Sequence, residues 1–130
     1  MEKTTLVKKV KEVLAKHKDL CYNGFYNSDK RALELGGIQH TLEELRDKML
    51  KDEELNEIEF CINYFKKHKK TKVLNVNSYG LKHAIEKDYD NGHYISNGSC
   101  IVGGILAGFD FEQTGDVTAN FNISKCCIVN

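Results

Sequence analysis

A chain of 130 residues with 41% hydrophobic and 29% charged side chains suits one globular domain and does not read as disordered. Nineteen basic and nineteen acidic side chains give a formal charge of zero, which argues against a nucleic-acid binder with a basic excess and against a strongly acidic mimic. No apolar run nears the roughly 18 residues of a membrane span. MEKTTLVKKV also lacks the apolar centre of a signal peptide, so a cytoplasmic setting with no membrane is expected.

Residues 4–18 predict an amphipathic helix, with Leu6, Val7, Val10, Val13, Leu14 and His17 on one face and Lys8, Lys9, Glu12 and Lys16 on the other. Periodicity is lost from Leu20 to Gln39. Cys21-Tyr22-Asn23-Gly24-Phe25-Tyr26 reads as a short hairpin or an aromatic loop, with Tyr22, Phe25 and Tyr26 either plugging the core or forming a contact surface. Ser28-Asp29 suits the cap of one or two turns through Leu35, ended by Gly36-Gly37. Thr41-Leu42-Glu43-Glu44 is a capping box, opening a helix over 42–50 that buries Leu42, Leu45 and Met49. A longer helix over 52–68 carries Leu55, Ile58, Cys61, Ile62 and Phe65 on its core face, with Asp52, Glu53 and Glu54 at its start. At its end lie Lys66, Lys67, Lys69, Lys70 and Lys72. The helix dipole accounts for them, and they are also the candidate nucleic-acid-binding residues. KVLNV at 72–76 suits a short strand pairing with a C-terminal hairpin.

In the second half, Ser78 is the expected cap of a helix over 79–88, with Leu81, Ala84 and Ile85 on one face and Lys82 and Glu86 on another. Tyr89-Asp90-Asn91-Gly92 is a turn. Ser96 or Asn97 caps a nearly all-apolar helix over 97–107, which implies burial on most sides. Its Gly103-Gly104 pair predicts close approach of another backbone, and Gly108 suits the left-handed position that ends it. Val117, Ala119, Phe121 and Ile123 then alternate with polar residues, Phe109 and Phe111 alternate upstream, and Thr114-Gly115-Asp116 joins the runs, giving a hairpin within 109–124. The fold class is therefore α+β, a single domain over 1–130 with a helical lobe, 1–72, and a motif-bearing lobe, 73–130. Formal charge is +3 in the first (16 basic, 13 acidic) and −3 in the second (3 basic, 6 acidic).

The order SYGLKH, a glutamate, YISNG, a small-residue helix ending in Gly-Phe, and FNIS resembles a family of small proteins carried by bacterial phages, plasmids and integrated elements. The resemblance covers about the last two-fifths of the chain. It implies an accessory protein of a mobile element in a bacterial host cell, a setting in which inhibitors of host defence such as anti-CRISPR proteins are frequent.

The residues that tempt an enzymatic reading are His83, Glu86, His93, Ser96 and Cys100, yet no nucleophile motif, phosphate loop or metal signature surrounds them. Five cysteines (Cys21, Cys61, Cys100, Cys126, Cys127) form no Cys-x-x-Cys pair, and zinc would need His17, Cys21, Cys61 and His68 to converge. Neither metal nor cofactor is expected. Cys127-Ile128-Val129-Asn130 has the outline of a prenylation box with an unusual last residue, and lipidation is not expected. The helices at 79–88 and 97–107 fit a helix-turn-helix poorly, because Tyr89–Ser96 is too long a turn and the second helix lacks base-reading side chains. The expectation is a non-enzymatic protein that binds and inhibits a host protein complex such as a CRISPR effector. Its partner surface is expected at Tyr79, Lys82, His83, Glu86, Tyr94, Ser96 and Asn97. Lys82, Glu86 and Tyr94 should share one exposed face, with Leu81, Ile85, Ile101 and Ile105 between the helices. The alternative is a nucleic-acid-binding accessory protein acting through the lysine run.

Overall fold

The structure, a computed structural model, describes residues 2–25, 41–90 and 92–124. The expectations at Tyr26, at Ser28-Asp29 through Gly37, at Asn91, and at Cys126 and Cys127 through Asn130 lie outside them. Among the described residues there are five helices: α1 (Lys3–Lys16), α2 (Leu42–Lys48), α3 (Asp52–Lys66), α4 (Ser78–Glu86) and α5 (Asn97–Leu106). Strands β1 (Leu20–Cys21) and β2 (Gly24–Phe25) form a small hairpin, pairing Leu20 with Phe25. Strands β3 (Val76–Asn77), β4 (Phe111–Gln113) and β5 (Ala119–Phe121) form an antiparallel sheet in the order β3-β5-β4. The α+β class and the C-terminal hairpin are as the sequence predicts. Phe111 and Val76 both register with Phe121, so the alternating apolar residues of β5 meet apolar partners on both sides.

The helices start and stop for local reasons. Thr41 Oγ1 accepts from the Glu44 amide at 3.1 Å, half of the capping box. Ser96 caps α5, its hydroxyl accepting from the Ser99 amide at 3.0 Å. Gly108, at φ +89°, takes the left-handed position after α5, and the Phe109 amide closes back on the Gly104 carbonyl at 3.1 Å. The cap of α4 is Asn77 and not Ser78: Asn77 Oδ1 accepts from the Tyr79 amide at 3.0 Å. Ser78 is already helical, and its hydroxyl is drawn inward by partners distant in sequence.

α5 is the central element, and its glycines are what place it there. A Cβ on Gly103 would collide with the Cβ of Cys61 on α3, and one on Gly104 would lie 2.6 Å from the Phe121 ring and 2.7 Å from the Phe65 ring. At Gly98 a Cβ would strike the carbonyl oxygens of Cys21 and Tyr22. The helix therefore touches α3, the sheet and the β1–β2 hairpin at distances only glycine permits. Around it one core runs from Leu6 and Val10 of α1 through Ile58, Ile62 and Phe65 of α3 to Ile85, Ile101 and Phe121. Phe65 meets Phe109 and Phe121 edge-on, both with centroids 5.1 Å apart.

Candidate functional site

The two motifs meet through buried polar groups. Ser78 Oγ donates to Asn97 Oδ1 at 2.7 Å and accepts from the Ala119 amide at 3.1 Å. Asn97 Nδ2 donates to the carbonyls of Asn23 at 3.2 Å and Val117 at 3.0 Å. One amide side chain thus ties α4, the β1–β2 turn and the loop before β5 to the start of α5. Beside it, Glu57 of α3 is buried against the same helix start, where its Oε1 accepts from the Ser96 amide and from Ser99 Oγ, both at 3.1 Å. Burial pushes the Glu57 carboxyl up, and the two hydrogen bonds from Ser96 and Ser99 offset this only in part.

The surface above this network is aromatic. Lys82 folds along α4 so that its ammonium donates to Glu86 Oε1 at 2.7 Å, one turn on. The same ammonium lies 4.4 Å from the Tyr94 ring centroid and 5.3 Å from that of Tyr79. Lys82 is only 3% exposed, whereas Tyr79 and Tyr94 are 53% and 52% exposed. His83 stands edge-on to Tyr79 at 4.6 Å and its Nδ1 lies 3.4 Å from Glu86 Oε2. Burial alone would raise the Glu86 carboxyl. Lys82, the Ile95 amide and His83 outweigh it and hold the group below the usual carboxylate range. His93 reaches across to Glu53 of α3 at 3.3 Å and stands edge-on to Tyr89.

The structure brings together Tyr79, Lys82, His83, Glu86 and Tyr94, but not as one exposed surface. Lys82 is sealed beneath the two rings, because an ammonium between aromatic faces and a carboxylate gains more there than it loses in hydration. Ser96 is fully buried and Asn97 is 6% exposed, so these two support the surface from below and are not part of it. The sequence reading missed Ser78, Ser99 and Glu57. Glu57 carried a signal: Glu54, Glu57, Cys61 and Tyr64 along α3, and His68 just past its end, recur at spacings of three and four, and all are buried.

Of the residues that tempt an enzymatic reading only His83 and Glu86 meet, Nδ1 to Oε2 at 3.4 Å, and the rest go to different partners. Glu86 is committed to Lys82, His93 to Glu53, Ser96 to Ser99 and Glu57, and Cys100 to Cys61. Burial first, and then Cys100, push the Cys61 thiol well up, so it stays protonated. His17 packs on Phe25 and Phe111, and His68 stacks on Tyr64 at 4.6 Å. No metal-binding group of three His, Cys, Asp or Glu occurs among the described residues.

At the far end of α3, Lys66, Lys67, Lys69, Lys70 and Lys72 are all exposed. Their backbone is anchored, since the Ser124 amide donates to the Lys69 carbonyl at 2.8 Å and the Thr71 amide to that of Asn122 at 2.7 Å. Lys70 lies 5.5 Å from the Phe109 ring centroid. Among the described residues no helix is long and apolar enough to cross a membrane. Comparison with known protein families, curated proteins and solved structures finds no match to this chain.

Proposed function

We propose that this protein is a non-enzymatic interaction module whose partner surface is centred on Tyr79 and Tyr94. The observation that carries the reading is the pairing of two half-exposed tyrosines with a fully engaged support of Lys82, Glu86, Ser96 and Asn97. Large rings held rigid before contact lose little entropy on binding, which is how aromatic residues anchor interfaces. The SYGLKH, YISNG and FNIS resemblance supplies the setting: a mobile-element accessory protein acting in the host cytoplasm, and the partner a host-defence complex of the CRISPR effector kind. Expression in cells with an active CRISPR system should let a targeted plasmid survive, with the effector co-purifying. The Tyr79→Ala/Tyr94→Ala double variant should lose both effects while remaining folded. Neither survival nor co-purification from the wild-type chain would reject the reading.

A second reading has its own observation in the anchored, exposed lysines at the end of α3. On that reading the protein is a nucleic-acid-binding accessory. Salt-dependent retention of DNA or RNA, lost when Lys66, Lys67, Lys69 and Lys70 are changed to Glu, would favour it.

A further inference from the structure

Cys61 of α3 and Cys100 of α5 are both free thiols, fully buried, and they meet where the two helices approach most closely. A Cβ on Gly103 would collide with the Cβ of Cys61 and lie 3.2 Å from the Ile62 amide nitrogen, so no side chain fits on α5 at that point. Cys100 stands one helical turn before Gly103 on the same side of α5, and its thiol shares a hydrogen bond with that of Cys61. A disulfide needs Cβ atoms about 3.5–4.5 Å apart, closer than most helix pairs bring them with axes about 8–10 Å apart. Gly103 removes the side chain that would hold the two helices at the ordinary distance. Two thiols alone do not complete a metal site, and no metal-binding group of three His, Cys, Asp or Glu occurs among the described residues.

We propose that Cys61 and Cys100 are a redox pair that closes to a disulfide fastening α5 to α3, and that folding itself gates the closure. The oxidant is a small-molecule disulfide. One cysteine thiolate attacks a sulfur of that disulfide, forming a mixed disulfide and releasing one small thiolate. The other cysteine thiolate then attacks the protein sulfur of the mixed disulfide and releases the second. The pair gives up two electrons and two protons, and the oxidant leaves as two small thiols. The first attack needs a thiolate and room for a bulky adduct. Neither exists between docked helices, because burial holds the Cys61 thiol well above its ordinary range and both side chains are sealed from solvent. Closure therefore belongs to the chain before α5 docks on α3, or to its transient opening, and the folded chain keeps whichever state it folded in. This inference is independent of the reading of the Tyr79–Tyr94 surface.

The test uses the full chain, reduced and unfolded in denaturant, then refolded in a mixture of oxidised and reduced glutathione. Remaining thiols are alkylated and the protein is digested with trypsin. Mass spectrometry should find peptide 52–66, which carries Cys61, joined to peptide 88–125, which carries Cys100, with two hydrogens fewer than their sum. The folded, reduced chain given the same mixture for the same time should stay unlinked at both positions. The linked protein should melt several degrees above the reduced one, because closing the 61–100 loop restricts the unfolded chain. Cys100→Ala should abolish the linked peptides and the effect of the oxidant on melting. Should that variant fail to fold, the comparison of linked and reduced wild type decides alone. Links from Cys61 to Cys21, Cys126 or Cys127 as abundant as the link to Cys100 would overturn the proposal. So would a linked form that melts no higher than the reduced one, which would mean that the helices cannot hold the bridge without strain. A folded chain that links as fast as the unfolded one would overturn the gating.

Discussion

Two carboxylates, Glu57 and Glu86, titrate in opposite senses, and each makes a prediction. Glu57 is raised by burial above its ordinary value of 4.5, so its contribution to stability is complete below that value and is lost as pH rises through the raised folded value. Glu57→Gln keeps an oxygen for the Ser96 amide and Ser99 Oγ but removes the buried charge. Thermal melts should show the variant more stable than wild type at neutral pH, with the difference shrinking toward pH 4. A variant less stable at every pH would mean that the charge-assisted hydrogen bonds outweigh burial. Glu86 runs the other way: its folded value is depressed, so its contribution is complete above the ordinary value and lost as pH falls through the lowered one. Lys82→Met keeps the aliphatic packing and strands Glu86, which should cost about 1–3 kcal/mol at neutral pH. This corrects the sequence expectation that Lys82 lies on an exposed face with Glu86 and Tyr94. That expectation took a lysine opposite an apolar helix face to be solvated. What hides Lys82 is Tyr94, brought over it by a loop, and helical periodicity carries no information about a cover that comes from another segment.

Among the elements, the most legible was α5, because its apolar composition and paired glycines could satisfy only a buried helix with close neighbours. The C-terminal hairpin was equally legible from the alternation around Phe121. Boundaries were less so: α1 stops at Lys16 and α4 at Glu86, each two residues before the expected end, because chain reversal toward β1 and the left-handed turn at Asp90 set them. The cap of α4 moved from Ser78 to Asn77 because Ser78 has stronger partners in Asn97 and Ala119, tertiary contacts that no local pattern announces. Two glycines separate the local preference from the packed one. Gly80 lies in α4 with nothing within 4 Å of an added Cβ. Gly80→Ala should therefore stabilise the protein by about 0.5–1 kcal/mol through helix propensity alone. Gly103→Ala gains the same propensity but drives a methyl into Cys61, and Gly103→Leu should leave the protein unfolded or insoluble. Paired melts of Gly80→Ala and Gly103→Ala should move in opposite directions. A soluble Gly103→Leu with an unchanged melting temperature would refute the α3–α5 packing.

For the whole molecule, the question is which part of the motif surface folds the protein and which part meets a partner. Asn97 belongs to the first class, because its single amide joins three segments far apart in sequence at Ser78, Asn23 and Val117. Truncating it leaves a hydroxyl and two carbonyls without their partner in an almost water-free place, which should cost on the order of 3 kcal/mol. The loss should be cooperative, loosening the β1–β2 turn, the start of α4 and the approach to β5 together. Tyr79 and Tyr94 belong to the second class, since half of each ring already faces water and little apolar burial is forfeited on truncation. Hydrogen exchange on Asn97→Ala should show faster exchange at Phe25, Gly98 and Ala119, whose amides bond across these junctions. The same measurement on Tyr79→Ala/Tyr94→Ala should leave those three amides protected while co-purification with the effector is lost. If both variants deprotected the same amides, the aromatic surface would be part of the folding core, and its exposure would no longer argue for a partner.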